Sequence, residues 1–307
     1  MLSIVLEKIG IMFFLLGLGV ICLKGGILNE ETTKRLTTFL LQIVSPAVIF
    51  VSYQMAYSHE LLVNLGYSFA LSIAAFLIQI LVAAVVVRKR TFNGAIEKLS
   101  IIYSNCGFFG IPLADGIFGR EGVFYLTGYL TVFWFFFWTH GVILMIGRGG
   151  VKETAKNLFS PAIVGMILGF LTFILKISVP DVIIQTLDSV GSMNTPLAML
   201  IAGATLAQSN LFSCFTKPRI YLISLYKLIL VPVAVALAFR FLPLNPVMLL
   251  TIIIASACPV GASCTMFALR YGKDSIYASQ LFIVSTLLAI LSIPLVVTFS
   301  NFIGIVV

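Results

Sequence analysis

The chain has 307 residues, 60% of them hydrophobic and only 10% charged, with a formal net charge of +8 and a mean hydropathy of +1.13. Such a chain cannot keep a water-facing surface polar, so its apolar side chains must face lipid, which excludes a soluble enzyme or binding module. The basic balance does not mark a nucleic-acid binder, because the bases are spread through short connections instead of gathered on one face.

Apolar stretches separated by charged or Gly-Pro breaks predict an all-α integral membrane protein with ten spans: 3–23, 36–57, 64–87, 95–117, 122–146, 158–175, 182–207, 218–239, 246–269 and 275–300. Span 1 is not a cleaved signal: Glu7-Lys8 is a weak basic start, and Ile21 before Cys22 is too bulky for lipoprotein processing. Span 2 carries Gln42 and the mid-segment pair Ser45-Pro46. Span 4 carries Ser104 to Pro112 and, near its outer end, Asp115. In span 5, His140 beside Trp134 and Trp138 reads as interfacial. Span 6 holds Gly165 and Gly169 at the spacing that lets helices approach closely, inside one subunit or at a dimer seam. Span 7 contains Asp188, Asn194 and Thr195-Pro196, span 8 the intramembrane Lys227, and span 9 Cys258-Pro259-Val260-Gly261.

Of the 19 Lys and Arg, all except Lys8, Arg120, Lys176, Arg240 and Lys227 fall on the side reached after odd-numbered spans. That side reads as cytoplasmic, which predicts a cytoplasmic (inner) membrane protein with both termini outside. The five cysteines, Cys22, Cys106, Cys214, Cys258 and Cys264, include no Cys-x-x-Cys pair, so neither a disulfide framework nor a metal site is expected.

Two internal echoes point to duplication. Phe118-Gly119-Arg120-Glu121 recurs 153 positions later as Tyr271-Gly272-Lys273-Asp274: aromatic, glycine, base, acid. Ser45-Pro46 recurs 150 positions later as Thr195-Pro196. Repeats of residues 1–153 and 154–307 would hold five spans each, and an odd number of crossings forces the second copy to enter from the opposite side. Two inverted five-helix repeats follow.

The 153-residue offset also lays Ala257-Cys258-Pro259-Val260 onto Ser104-Asn105-Cys106-Gly107, so helix breakers stand at matched places in spans 4 and 9. Broken helices persist in lipid only where protein or a water-filled cavity satisfies the freed backbone groups. Related by inversion, helices 4 and 9 would cross at midplane and aim freed N–H groups and positive dipole ends at one point, suited to a carboxylate. Asn105, Cys106, Gly107, Cys258, Pro259, Val260 and Gly261 are therefore candidate substrate contacts, and Gln42, Ser45, Asn194 and Thr195 could face them. A simple kink at Pro259, with Asn105 bonding a neighbouring helix, is the plainer alternative. Lys227 could stand in for a coupling cation or stabilise the core when no anion is bound. Asp188 and Asp115 are the acids best placed to carry a proton.

Asn105-Cys106-Gly107-Phe108-Phe109-Gly110-Ile111-Pro112-Leu113, followed by Phe118-Gly119-Arg120-Glu121-Gly122, resembles the fourth-span signature of the auxin efflux carrier family. Ser160-Pro161-Ala162-Ile163-Val164-Gly165, Thr195-Pro196-Leu197-Ala198 with Gly203, and Lys227 to Pro232 are similar to that family's later segments, in the same order. The resemblance implies crossed, discontinuous helices 4 and 9, and a mobile core of spans 3–5 and 8–10 moving elevator-fashion against a scaffold of spans 1, 2, 6 and 7. It also implies a homodimer and a small carboxylate substrate. Two departures argue against auxin itself: the connection from Gly147 to Asn157 is short, and Cys106 replaces the proline of the plant Asn-Pro-Asn motif.

The expected function is secondary active transport of a small organic anion, a mono- or dicarboxylate, driven by a proton or another gradient, with no cofactor. A sodium-coupled symporter or cation/proton antiporter is the alternative within transport. The antiporter version expects acids at the crossing, where this sequence has none. A membrane receptor, sensor or intramembrane enzyme should show a signalling segment or a catalytic constellation, and the sequence contains neither.

Overall fold

The computed structural model describes residues 2–87, 93–147, 161–208 and 217–305. Cys214, Ser160, the 153/154 repeat boundary and positions 148–157 of the short connection lie outside the described residues.

The described elements are helices: α1 Leu2–Lys24, α2 Glu30–Ser52, α3 His59–Val86, α4 Gly94–Ile102, α5 Cys106–Ile146, α6 Pro161–Ile174, α7 Asp181–Ala207, α8 Pro218–Phe239, α9 Pro246–Ala257, α10 Ala262–Arg270 and α11 Ser275–Phe302. Local chemistry sets many of their starts. Asn29 accepts from the Thr32 N–H at the head of α2, Asn245 from Val247 and Met248 ahead of α9, and Asp274 from Tyr277 ahead of α11. Pro218 and Pro246 sit in first turns, where a missing N–H costs nothing.

Among the described residues, α1, α2, α3, α5, α7, α8 and α11 are long and apolar enough to cross a bilayer, while α6 and α9 are shorter apolar helices. Their outer faces carry large apolar side chains, Phe14 at 84% and Leu291 at 66% exposure, as lipid contact requires. Three expected spans take a different form. Residues 95–117 divide between α4 and the start of α5, and 246–269 divide between α9 and α10. Residues 122–146 continue α5 through a kink at Gly119, whose φ of 63° and ψ of −150° are essentially restricted to glycine.

Lipid gives helices no hydrophobic reason to associate, so close packing of small residues must do it. A Cβ on Gly203 of α7 would lie 1.9 Å from the Leu16 carbonyl oxygen of α1, so those backbones touch. Gly165 of α6 meets the Pro46 backbone of α2 in the same way, and Gly169 meets the side chain of Tyr53 just beyond the end of α2. This glycine pair is therefore used for packing within the chain. Elsewhere, α3 and α9 pack on α5, and α8, α10 and α11 close around them. That second group shares a buried aromatic cluster in which Phe76 lies 5.0 Å from Tyr129 and Phe137 3.9 Å from Phe267.

Candidate functional site between two helix interruptions

α9 stops at Ala257 because the residue before a proline is pushed out of helical space: Cys258 has φ −57° and ψ 148°. On the other side α4 stops at Ile102, and Tyr103 is extended, with φ −99° and ψ 107°. The two interruptions meet as an antiparallel bridge between Ser104 and Val260. Asn105 N–H donates to the Pro259 carbonyl at 2.7 Å, and Gly261 N–H to the Tyr103 carbonyl at 3.1 Å. Ser285 Oγ accepts from Val260 N–H at 3.0 Å. Each break thus satisfies much of the other, as backbone away from water requires. The expectation that the freed amides all point at a ligand needs correcting accordingly, since Asn105, Val260 and Gly261 have spent theirs. The opening turn of α5 retains the N–H groups of Cys106, Gly107 and Phe108, which have no partner inside a helix at its start.

The side chains supply a second set of donors. Asn105 is 5% exposed, Asn194 4% and Lys227 fully buried. Asn105 Nδ2, Asn194 Nδ2 and Lys227 Nζ are the buried side-chain nitrogens without a hydrogen-bond partner among the described residues. Lys227 sits in a π-helical turn of α8, Tyr226–Leu230, that packs on α4 and α11, within electrostatic range of the Cys106, Cys258 and Cys264 thiols. Asn194 opens the second segment of α7, which rests on the Cys106–Gly110 turn, and its Oδ1 accepts from Ser45 Oγ at 3.2 Å. That bond joins the two proline motifs of the 150-residue echo. Thr195, half-buried, follows on α7.

Ser45 and Gly107 both line a cavity of about 50 Å³ whose other walls include Thr127, Thr131, Leu41 and Trp134. A space of this size has room for a few water molecules. Tyr53 Oη and Thr127 Oγ1, 2.6 Å apart, bridge α2 to α5 at its edge. Thr127 and Thr131 escaped the sequence reading although their four-residue spacing puts them on one helical face. Ser285 carried no signal at all, because its role depends on a contact made across 25 residues. Gln42 is exposed on an outer groove beside Ile43 and Pro46, away from the cavity. His140 Nδ1 shares a 3.0 Å hydrogen bond with Tyr103 Oη.

The two candidate proton carriers lie elsewhere. Asp115 and Asp188 line a separate polar cleft of about 170 Å³ between α5 on one side and α2 and α7 on the other, where Asp188 is ion-paired with Arg120.

A family model described as membrane transport protein matches residues 4–297. The chain belongs to this family. It is the auxin efflux carrier family that the fourth-span signature resembles. The transporter is 27% identical to an uncharacterized transporter of Methanocaldococcus jannaschii, over 85% of this chain and 88% of the relative. It is 24% identical to an uncharacterized transporter of Methanothermobacter thermautotrophicus, over 91% and 92% of the two chains. Family membership makes the chain a multi-pass membrane transport protein, with the interruption as its candidate site.

Proposed function

We propose that this transporter carries a small carboxylate by alternating access, with the anion held beside the meeting point of the α4–α5 and α9–α10 interruptions. The observation that carries this reading is that the buried side-chain nitrogens without a hydrogen-bond partner among the described residues are Asn105 Nδ2, Asn194 Nδ2 and Lys227 Nζ, set around the opening turn of α5. An unpaired buried polar group costs about 1–3 kcal/mol, and an unpaired charge more, so three of them describe a place made for an anion. A carboxylate supplies two oxygens with four lone-pair sites. It would meet both asparagine amides, the first N–H groups of α5 and the Lys227 charge.

In this reading the ten spans form two inverted repeats, helices 4 and 9 are the interrupted pairs α4–α5 and α9–α10, and Lys227 compensates substrate charge. The tight packing of α1 on α7 and α2 on α6 supports a scaffold, against which α3–α5 and α8–α11 move as the core. Coupling to a proton or another gradient, a homodimer in the cytoplasmic membrane, and outward-facing termini complete the proposal. Uptake of labelled mono- and dicarboxylates into proteoliposomes tests it. Uptake by the parent with loss in Asn105→Ala, at unchanged size-exclusion behaviour, is the expected result. Equal uptake by both proteins, or none of any carboxylate by the parent, would overturn it.

A further inference from the structure

Arg120 stands immediately after Gly119, so the glycine-only backbone of that kink aims its side chain off the α5 axis. The guanidinium crosses the 170 Å³ cleft and pairs with Asp188 of α7. The walls of the cleft come from both proposed bodies: Ser52 of α2 and Asp188 and Ser192 of α7 on one side, Asp115 and Arg120 of α5 on the other. Both partners remain wet, at 46% and 43% side-chain exposure. An exposed pair of this kind is weak and easily broken. Asp115 lies within electrostatic range of Arg120, Asp188 and Lys8, so the guanidinium has a second carboxylate on its own helix when it leaves the first. A polar cleft between two packed bodies, bridged by a weak pair with a substitute acid at hand, has the makings of a gate.

We propose that the Arg120–Asp188 ion pair is a breakable latch that holds α5 against α7 and limits the opening of the cleft between them. It rests on the two-body motion proposed above. The other copy of the motif has no such device: Lys273 is exposed and makes no ion pair among the described residues. Only one of the two turns is latched in this conformation.

Ser52 offers a reporter, because it lines the cleft, is 1% exposed and takes no part in the substrate site. With Ser52→Cys in lipid nanodiscs, maleimide labelling is followed by peptide mass spectrometry, and the buried Cys264 thiol of the same molecules serves as the folding control. Arg120→Gln and Asp188→Asn should each speed labelling at position 52 about fivefold, the shift expected for loss of one exposed pair. The exchanged double variant, Arg120→Asp with Asp188→Arg, should return it to the parent rate. Raising salt from low to molar concentration shortens the screening length from about 30 Å to about 3 Å and should speed the parent but not Asp188→Asn. Single variants that label at the parent rate would overturn the latch, as would an exchange that restores nothing or Cys264 labelling in step with position 52. Carboxylate-induced thermal shifts on the same proteins keep the two ideas apart: stabilisation with unaltered labelling sinks the latch alone, and accelerated labelling without stabilisation sinks the carboxylate reading alone.

Discussion

Among the described residues two ion pairs join distant helices, and they have opposite characters. Arg219 of α8 grips Glu97 of α4 through two bonds of 2.8 and 2.6 Å, and Tyr277 of α11 donates to the same carboxylate at 3.1 Å. Glu97 is 3% exposed there although Arg219 itself is 42% exposed, so three helices of one body meet at a buried carboxylate. The Arg120–Asp188 pair has one bond and two wet partners, and it connects helices assigned to the two proposed bodies. A buried carboxylate that loses its partner is left uncompensated, whereas an exposed one takes up water. The comparison teaches that the strength of a pair follows from burial, and that here the weak one lies where movement is needed.

Lys227 is the limiting case of a charge that is fully buried and unpaired, and it gives the largest expected effect. Lys227→Met should abolish carboxylate uptake in proteoliposomes while leaving the midpoint of thermal unfolding unchanged or higher, since replacing a buried charge by an apolar side chain is often neutral or stabilising by about 1–4 kcal/mol. A lower midpoint with uptake intact would make the lysine structural. Next in size, Arg219→Ala should destabilise by about 3 kcal/mol, the low end of the range because Tyr277 still donates to Glu97. Thermal unfolding in detergent measures this, and a loss no greater than that of Arg120→Ala would erase the contrast between the pairs. Gly119→Ala and Gly272→Ala should each cost about 1–3 kcal/mol, because φ values of 63° and 62° suit no alanine. Only the first should also speed labelling at Ser52→Cys, since only Gly119 aims a latch. The smallest changes belong to the exposed bases: Arg120→Ala should lower stability by at most about 1 kcal/mol and Lys273→Ala by less than ~0.5 kcal/mol. A larger effect of Lys273→Ala would reveal a partner for the second turn.

Much of the architecture could be read from the chain because it rests on local chemistry. Composition placed the helices in lipid. The aromatic-glycine-base-acid echo identified two turns whose glycines both have positive φ, 63° and 62°, and Cys258-Pro259 marked the end of α9. The other interruption was placed less well: attention to Gly107 missed that helical geometry lapses earlier, at Tyr103–Asn105, where no breaker stands. That lapse is held by bonds to Pro259 and Gly261, more than 150 residues away, and no window of sequence contains both partners. Asp188 is a similar case, since its depth in an apolar stretch suggested a sheltered proton carrier and the fold places it in a wet cleft opposite Arg120.

By itself, then, the sequence determined where the chain enters lipid, which glycines must turn and which proline must end a helix, because steric limits on φ and ψ and the cost of exposing apolar surface act over a few residues. Only the tertiary structure decided which break satisfies which, that Asn194 would meet Ser45, and that Glu97 would be buried against Arg219 while Asp188 stayed within reach of water. Those outcomes depend on the burial and company of each polar group, and both are properties of packed helices.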